Sequence, residues 1–186
     1  MILRYQFCFM NSESKIFTIY TSRFILRLLT EVDVTEKYLS WFKNLETKKY
    51  VVTASEMLGL EKLKDYVRKR TNRNDVLFWG IFEKETNVHI GNVKYEPIDS
   101  EKGFAVMGIL IGDVSYRGKG VSGEVIKATS SFLKENKNIK QIILGVHRQN
   151  HMAIKAYGKL GFRNQDTNFI NNSDSNVLTM VLSLND

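Results

Sequence analysis

Apolar and polar positions along the chain fall into short apolar runs separated by segments of helical period. "RFILRLLT", Arg23 to Thr30, predicts a first strand. "EVDVTEKYLSWFKN" places Val34, Tyr38, Leu39 and Phe42 at helical spacing, and "LEKLKDYVRKR" does the same with Leu60, Leu63 and Val67. "DVLFWGIFEK" is rich in aromatic and β-branched residues and predicts a strand. "NVHIGNVKYEPI" is its expected partner across a turn near Glu85-Thr86-Asn87. "GFAVMGILIGD" is apolar almost throughout, which predicts a strand buried on both faces. A helix follows to about Lys134, then a buried strand, "KQIILGVH". "NHMAIKAYGKLGF" predicts a helix starting at Asn150, a favoured N-cap residue, with Gly161 as its C-terminal glycine. "FRNQDTNFI" and "NVLTMVLSL" are expected to close the chain as two strands.

These elements describe an α+β (mixed α/β) domain: one mostly antiparallel, twisted sheet of about seven strands flanked by about four helices. The domain is expected over residues 21–186, with residues 1–20 a partly ordered N-terminal extension. Within that extension Met10 offers an internal start, which would make the first nine residues an upstream segment.

Composition narrows the class. The 186 residues are 43% hydrophobic and 25% charged, as expected of a globular domain. No apolar run approaches the ~20 residues needed to span a bilayer. The apolar start, "MILRYQFCFMNSES", is short and no small-x-small cleavage site follows, so it does not read as a signal peptide. Cys8 is the sole cysteine, which excludes an internal disulfide and makes a reducing cytoplasm the expected setting. Net charge is +7 and the pI about 9.4, which points to an anionic partner or simply to solubility. The basic residues are scattered, and no helix-turn-helix, zinc or aromatic-basic signature appears, so a nucleic-acid partner is disfavoured.

One loop carries chemistry. "SYRGKGVSGEVIK" sits between a predicted strand and a predicted helix. Gly118 and Gly120 allow close backbone approach, Arg117 and Lys119 add positive charge, and the helix N-terminus adds more. The result is an anion cradle, but neither a P-loop nor a dinucleotide fingerprint.

The loop and the next helix together resemble the GCN5-related N-acetyltransferase superfamily. Arg117-Gly118-Lys119-Gly120-Val121-Ser122 matches that family's [RQ]-x-x-G-x-[GA] loop, with Ser122 in place of the usual Gly or Ala. Asn150, Ala153, Tyr157, Gly161 and Phe162 match its N-x-x-[AS]-x-x-x-Y/F-x-x-x-G-F block in order. The strong match covers about Gly103 to Phe162. The flanks, "TSRFILRLLTEVD" and "YLSWFKN", resemble more loosely the branch of ribosomal-protein N-terminal and bacterial amino-sugar acetyltransferases. The resemblance implies acetyl-CoA as co-substrate, no metal, and dimers as a common assembly. It implies that the CoA diphosphate lies on the amides from Arg117 to Ser122 and that the pantetheine arm runs beside Ile109, Leu110 and Ile111. Asn150 would contact that arm, and Tyr157 would point at the thioester sulfur.

Direct attack of an amine on the thioester needs a protonated leaving thiolate. A phenol of pKa near ~10 can supply that proton, which suits Tyr157 as the catalytic acid. Many relatives place a carboxylate two residues before the glycine of the fourth strand, where this chain has Val106. The candidate bases are therefore Glu96, His147 and His89. Without a strong base, the acceptor should be weakly basic: a neutral lysine-like amine costs about 4–5 kcal/mol at pH 7, an α-amino group only about 1 kcal/mol. Together with the positive charge, this favours a small anionic amine, such as a nucleotide-linked amino sugar. The alternatives are a protein N-terminal acetyltransferase, a polyamine acetyltransferase, and a non-catalytic CoA-binding regulatory module. Trp41, Phe42, Trp79 and Tyr95 are the candidate aromatic wall; Trp79, inside "LFWGIF", reads better as core.

Overall fold

The computed structural model describes residues 5–8, 16–51, 59–169 and 174–184, with backbone only for 5–8 and 16. Among them are nine strands: β1 Tyr5–Cys8, β2 Ile16–Tyr20, β3 Phe24–Leu28, β4 Leu77–Glu83, β5 His89–Asp99, β6 Phe104–Ile111, β7 Gln141–His147, β8 Arg163–Asn164 and β9 Val177–Ser183. They form one sheet in the order β1-β2-β3-β4-β5-β6-β7-β9-β8. Every neighbouring pair is antiparallel except β6 and β7, which run parallel. The helices are α1 Glu36–Trp41, α2 Leu45–Tyr50, α3 Leu60–Arg68, α4 Val121–Lys137 and α5 His151–Lys159.

Strand alternation sorts the core into two layers. On β4, Leu77, Trp79 and Ile81 join Tyr95, Val125 and Phe132 in the layer that includes α4. Phe78 and Phe82 join Tyr38, Trp41, Leu63 and Val67 in the layer beneath α1 and α3. Both faces of β4 are covered, which is why its sequence is apolar without a break. Leu63 and Val67 are fully buried at helical spacing, as the α3 pattern predicts. No helix of the described residues is long and apolar enough to cross a membrane.

Three elements depart from the sequence pattern. The sheet begins before residue 21: β2 pairs with β3 through Ile19 and Leu26, and Ile19 is fully buried. Helix α2 is too short for its period to show; Asn44 caps it by accepting from the Glu46 and Thr47 amides. The expected strand "FRNQDTNFI" shrinks to Arg163–Asn164, and residues 170–173 lie outside the described ones.

Candidate active site

β6 and β7 pair only where Phe104–Val106 meet Gln141–Ile143. Beyond that, β7 stays with β9 along its whole length, and β6 leaves it. The bulge in β5 between Tyr95 and Ile98 adds twist beside the point of divergence. The apolar stretch of β6 is thus buried only in its first half. Gly108 is exposed, Ile109 to Ile111 are half-buried, and the space a side chain at Gly108 would take is open. This corrects the expectation of a strand buried on both faces: its second half lines a gap.

The Ile111 carbonyl accepts from Arg117 Nε at 3.0 Å and so points away from β5. Amide groups alternate along a strand, so Ile109 presents its N–H and C=O to the gap while those of Leu110 face β5. Of the three residues expected beside the cofactor arm, Ile109 alone presents both backbone polar groups to the gap with no partner among the described residues.

At the foot of the gap lies the glycine loop. Gly118 and Gly120 adopt φ of 70° and 74°, and no atom lies within 4 Å of where a Gly118 side chain would begin. No side chain caps the first turn of α4. Its amides are therefore unfilled donors at the positive end of a four-turn helix. The loop is open to an anion. Arg23 braces it from outside, donating to the Lys119 carbonyl at 3.0 Å and pairing with Glu124 at 2.8 Å. Arg117 behaves differently from the rim cation expected of it. Besides Ile111 it holds Glu46 at 2.9 Å and Thr47 at 3.2 Å, so it ties the loop to α2. Lys119 makes no ion pair among the described residues, and Val121 turns into the core.

α5 closes one side. Asn150 caps it by accepting from the Ala153 amide at 3.2 Å, as the sequence predicts, and its side-chain amide N–H groups remain available. Gly161 ends the segment at φ 95°. Tyr157 packs on the α4 layer and against Phe162, and its hydroxyl has no hydrogen-bond partner among the described residues. Burial pushes the phenol up to about 12.

The candidate bases fare differently. Lys94 and Gly108 are cross-strand partners, and beside them Glu96 accepts from Lys94, Arg70 and Arg73, each at 2.7 Å. Burial raises the Glu96 carboxyl, but Lys94 and Arg70 outweigh it and hold it below the usual range. His89 lies in the α1 layer, stacked on Phe82 at 4.7 Å and edge-on to Trp41. Burial pulls it down to about 4, and its buried Nδ1 has no hydrogen-bond partner among the described residues. His147 stands at the end of β7 beside the Tyr50 ring, and its Nδ1 accepts from the Gln149 amide at 3.2 Å. That contact favours the tautomer with the proton on Nε2, which makes Nε2 a donor. Val106, where many relatives carry a carboxylate, packs on Phe104, Ile143 and Val181.

Trp41 is buried against the end of β6, and any side chain at Gly112 would run into its indole. Trp79 and Tyr95 are fully buried in the α4 layer, so they are core and not wall. The residues that sequence reasoning missed are Lys94, Arg70 and Arg73. Lys94 lies two residues before Glu96 on the same strand, whereas Arg70 and Arg73 follow α3, and the fold brings them to Glu96.

The comparisons agree with this geometry. Residues 23–163 match the family model described as acetyltransferase (GNAT) domain. An uncharacterized N-acetyltransferase, p20, of Bacillus licheniformis is 25% identical over 154 residues, covering 80% of this chain and 83% of that protein. The spermidine N-acetyltransferase of Vibrio cholerae, solved with CoA and spermine, superposes with a TM-score of 0.73 at 21% identity, covering 87% of this chain and 96% of that one. An acetyltransferase of Salmonella typhimurium that modifies the N-terminal serine of ribosomal protein L7/L12 superposes at 0.74 with 14% identity, covering 89% and 97%. The opened strand pair, the uncapped α4 terminus and the family match over most of the chain lead to one conclusion: this chain belongs to the GNAT family of N-acetyltransferases.

Proposed function

We propose that the chain moves an acetyl group from acetyl-CoA to a primary amine of α-amino basicity by direct attack. The observation that carries the reading is the gap between β6 and β7 standing over the bare N-terminus of α4. Acetyl-CoA supplies an activated thioester; the residues of this chain hold and orient it. The amides from Gly118 to Ser122 take the diphosphate. The Ile109 backbone pairs with the arm as an added strand would, and Asn150 donates to it. Tyr157 stays protonated at every physiological pH, because burial lifts its phenol, and gives its proton to the departing thiolate.

No side chain stands ready as a strong base. Glu96 is held ionised by its cations, His89 is half-buried and weakly basic, and His147 Nδ1 is taken up by the Gln149 amide. The acceptor amine therefore releases its proton to water before attack. That step costs about 1 kcal/mol for an amine of pKa ~8 and about 4–5 kcal/mol for a lysine-like one at pH 7. Chain N-termini and amino sugars meet this condition; polyamines do not.

Thiol release from acetyl-CoA, with each product identified by mass, tests the reading on N-terminal peptides, amino sugars and spermidine. Turnover is expected on the weakly basic amines, with log(kcat/KM) rising with pH up to the acceptor's own pKa. Absence of thiol release with every amine would overturn it.

A further inference from the structure

The cations around Glu96 do more than their ion pairs require. Lys94 spends two of its three N–H donors, one on Glu96 and one on the Tyr66 hydroxyl at 2.8 Å. Arg70 spends Nε on Glu96 and Nη1 on the Tyr66 carbonyl at 3.0 Å, and Nη2 has no partner among the described residues. The Arg70 guanidinium lies 3.6 Å from the centre of the Tyr66 ring, which fixes its plane. Arg73 divides itself between Glu96 and Asp75. Three cations thus meet two carboxylates, Glu96 and Asp75, and one positive charge is left over. Lys94 and Arg70 are only 21% and 19% exposed, so this charge is screened less than one on the open surface.

Its position matters as much as its sign. Lys94 stands opposite Gly108 across the β5–β6 ladder, on the sheet face where the space over Gly108 is open. Val106, next on that face, contributes no carboxylate to cancel the charge. Glu96 already shows that the three cations converge on a carboxylate.

We infer that this floor binds an oxyanion carried by the acceptor itself, a carboxylate or phosphate on the same molecule as the reacting amine, received by the spare donors of Lys94 and Arg70 with Arg73 at the rim. The inference rests on the acetyl-transfer reading above and names the acceptor class. A polyamine finds no binding charge here, because the Glu96 carboxylate is saturated. The fold shared with a spermidine acetyltransferase therefore carries a floor of opposite preference.

Two measurements on the full chain keep this claim separate from the activity claim. The first is calorimetric binding of inorganic phosphate and of succinate to the CoA-saturated protein. Saturable binding is expected, weakened about tenfold in Lys94→Met and in Arg73→Gln, as loss of a hydrogen bond to a charged group requires. Arg73 is the more exposed, at 43%, so its variant serves if Lys94→Met fails to fold. Whichever probe binds tighter identifies the oxyanion. The second measurement compares matched amines of α-amino basicity: glucosamine 6-phosphate with glucosamine, and glycylglycine with glycinamide. The anionic member of at least one pair should be preferred about tenfold in kcat/KM, and the ratio should collapse towards unity in Arg73→Gln with the KM for acetyl-CoA unchanged. Equal rates within both pairs, or a preference for spermidine, would overturn the anion floor and leave acetyl transfer standing. Retained anion binding without thiol release would support the floor and overturn the transferase reading.

Discussion

The half of the molecule built from β6, α4 and α5 and the half built from β5 and α1 to α3 make their sites from different material. The first uses backbone: two glycines at positive φ, an uncapped helix terminus, and a strand edge left open when β6 parts from β7. The second uses side chains: an aromatic cluster around His89 and Trp41, and a carboxylate ringed by cations. A site made of backbone binds whatever shape its amides fit, so it suits the constant partner of a reaction. A site made of side chains changes with each substitution, so it suits the variable one. Arg117 crosses the divide, holding Ile111 on one side and Glu46 and Thr47 on the other.

The sharpest way to break this contrast is Tyr157→Phe. If the donor half needs only one side chain for chemistry, kcat falls about 10²- to 10⁴-fold, and both KM values stay near their original values. The thermal midpoint should barely move, because the lost hydroxyl has no hydrogen-bond partner among the described residues and the ring keeps its packing on Phe162. Steady-state kinetics beside a melting curve checks both statements; a fall in KM with unchanged kcat would remove the acid role.

The acceptor half should respond to pH where the donor half does not. His89 in the folded chain titrates at about 4, below its ordinary 6.5. Between those values the unfolded chain binds a proton that the folded chain refuses, so stability is lost as pH falls from about 6.5 towards 4. The full loss is about 3 kcal/mol. Melting curves from pH 7 to 4.5 should show the decline, and His89→Gln should flatten it.

The smallest effect belongs to the cradle. Gly120→Val puts a β-branched residue at a φ near 74°, at a cost of about 1–3 kcal/mol. Part of that cost should appear as a rise of about tenfold in the KM for acetyl-CoA, with the acceptor KM unchanged. Equal rises in both would show that the halves are not separable.

The same contrast explains what could be read before the fold was known. Gly118, Gly120, Asn150, Tyr157 and Gly161 are needed at set places along one strand-loop-helix path, so their spacing shows in the chain. Gly161 at φ 95° and Asn150 as helix cap stand where the pattern puts them. Arg117 was legible as a cation but not as a strut, because its partners on α2 lie about seventy positions away. Glu96 was legible as a carboxylate near the right strand end. Two of its three cations were not, since Arg70 and Arg73 precede it by 26 and 23 positions and carry no periodic signature; Lys94, two positions away at strand spacing, was within reach of the pattern and was missed. α2, at six residues, is shorter than two helical turns and hides its period.

By itself the sequence determined the alternation of strands and helices and a glycine-rich strand-to-helix loop shaped as an anion cradle, because local propensity, period and glycine spacing act over neighbouring residues. Only the tertiary structure decided where β6 leaves β7, which half of that apolar strand stays open, and which charges gather over Gly108. Those outcomes depend on contacts between residues distant in the chain, and a single residue's type states what it can bind, not what the fold will bring to it.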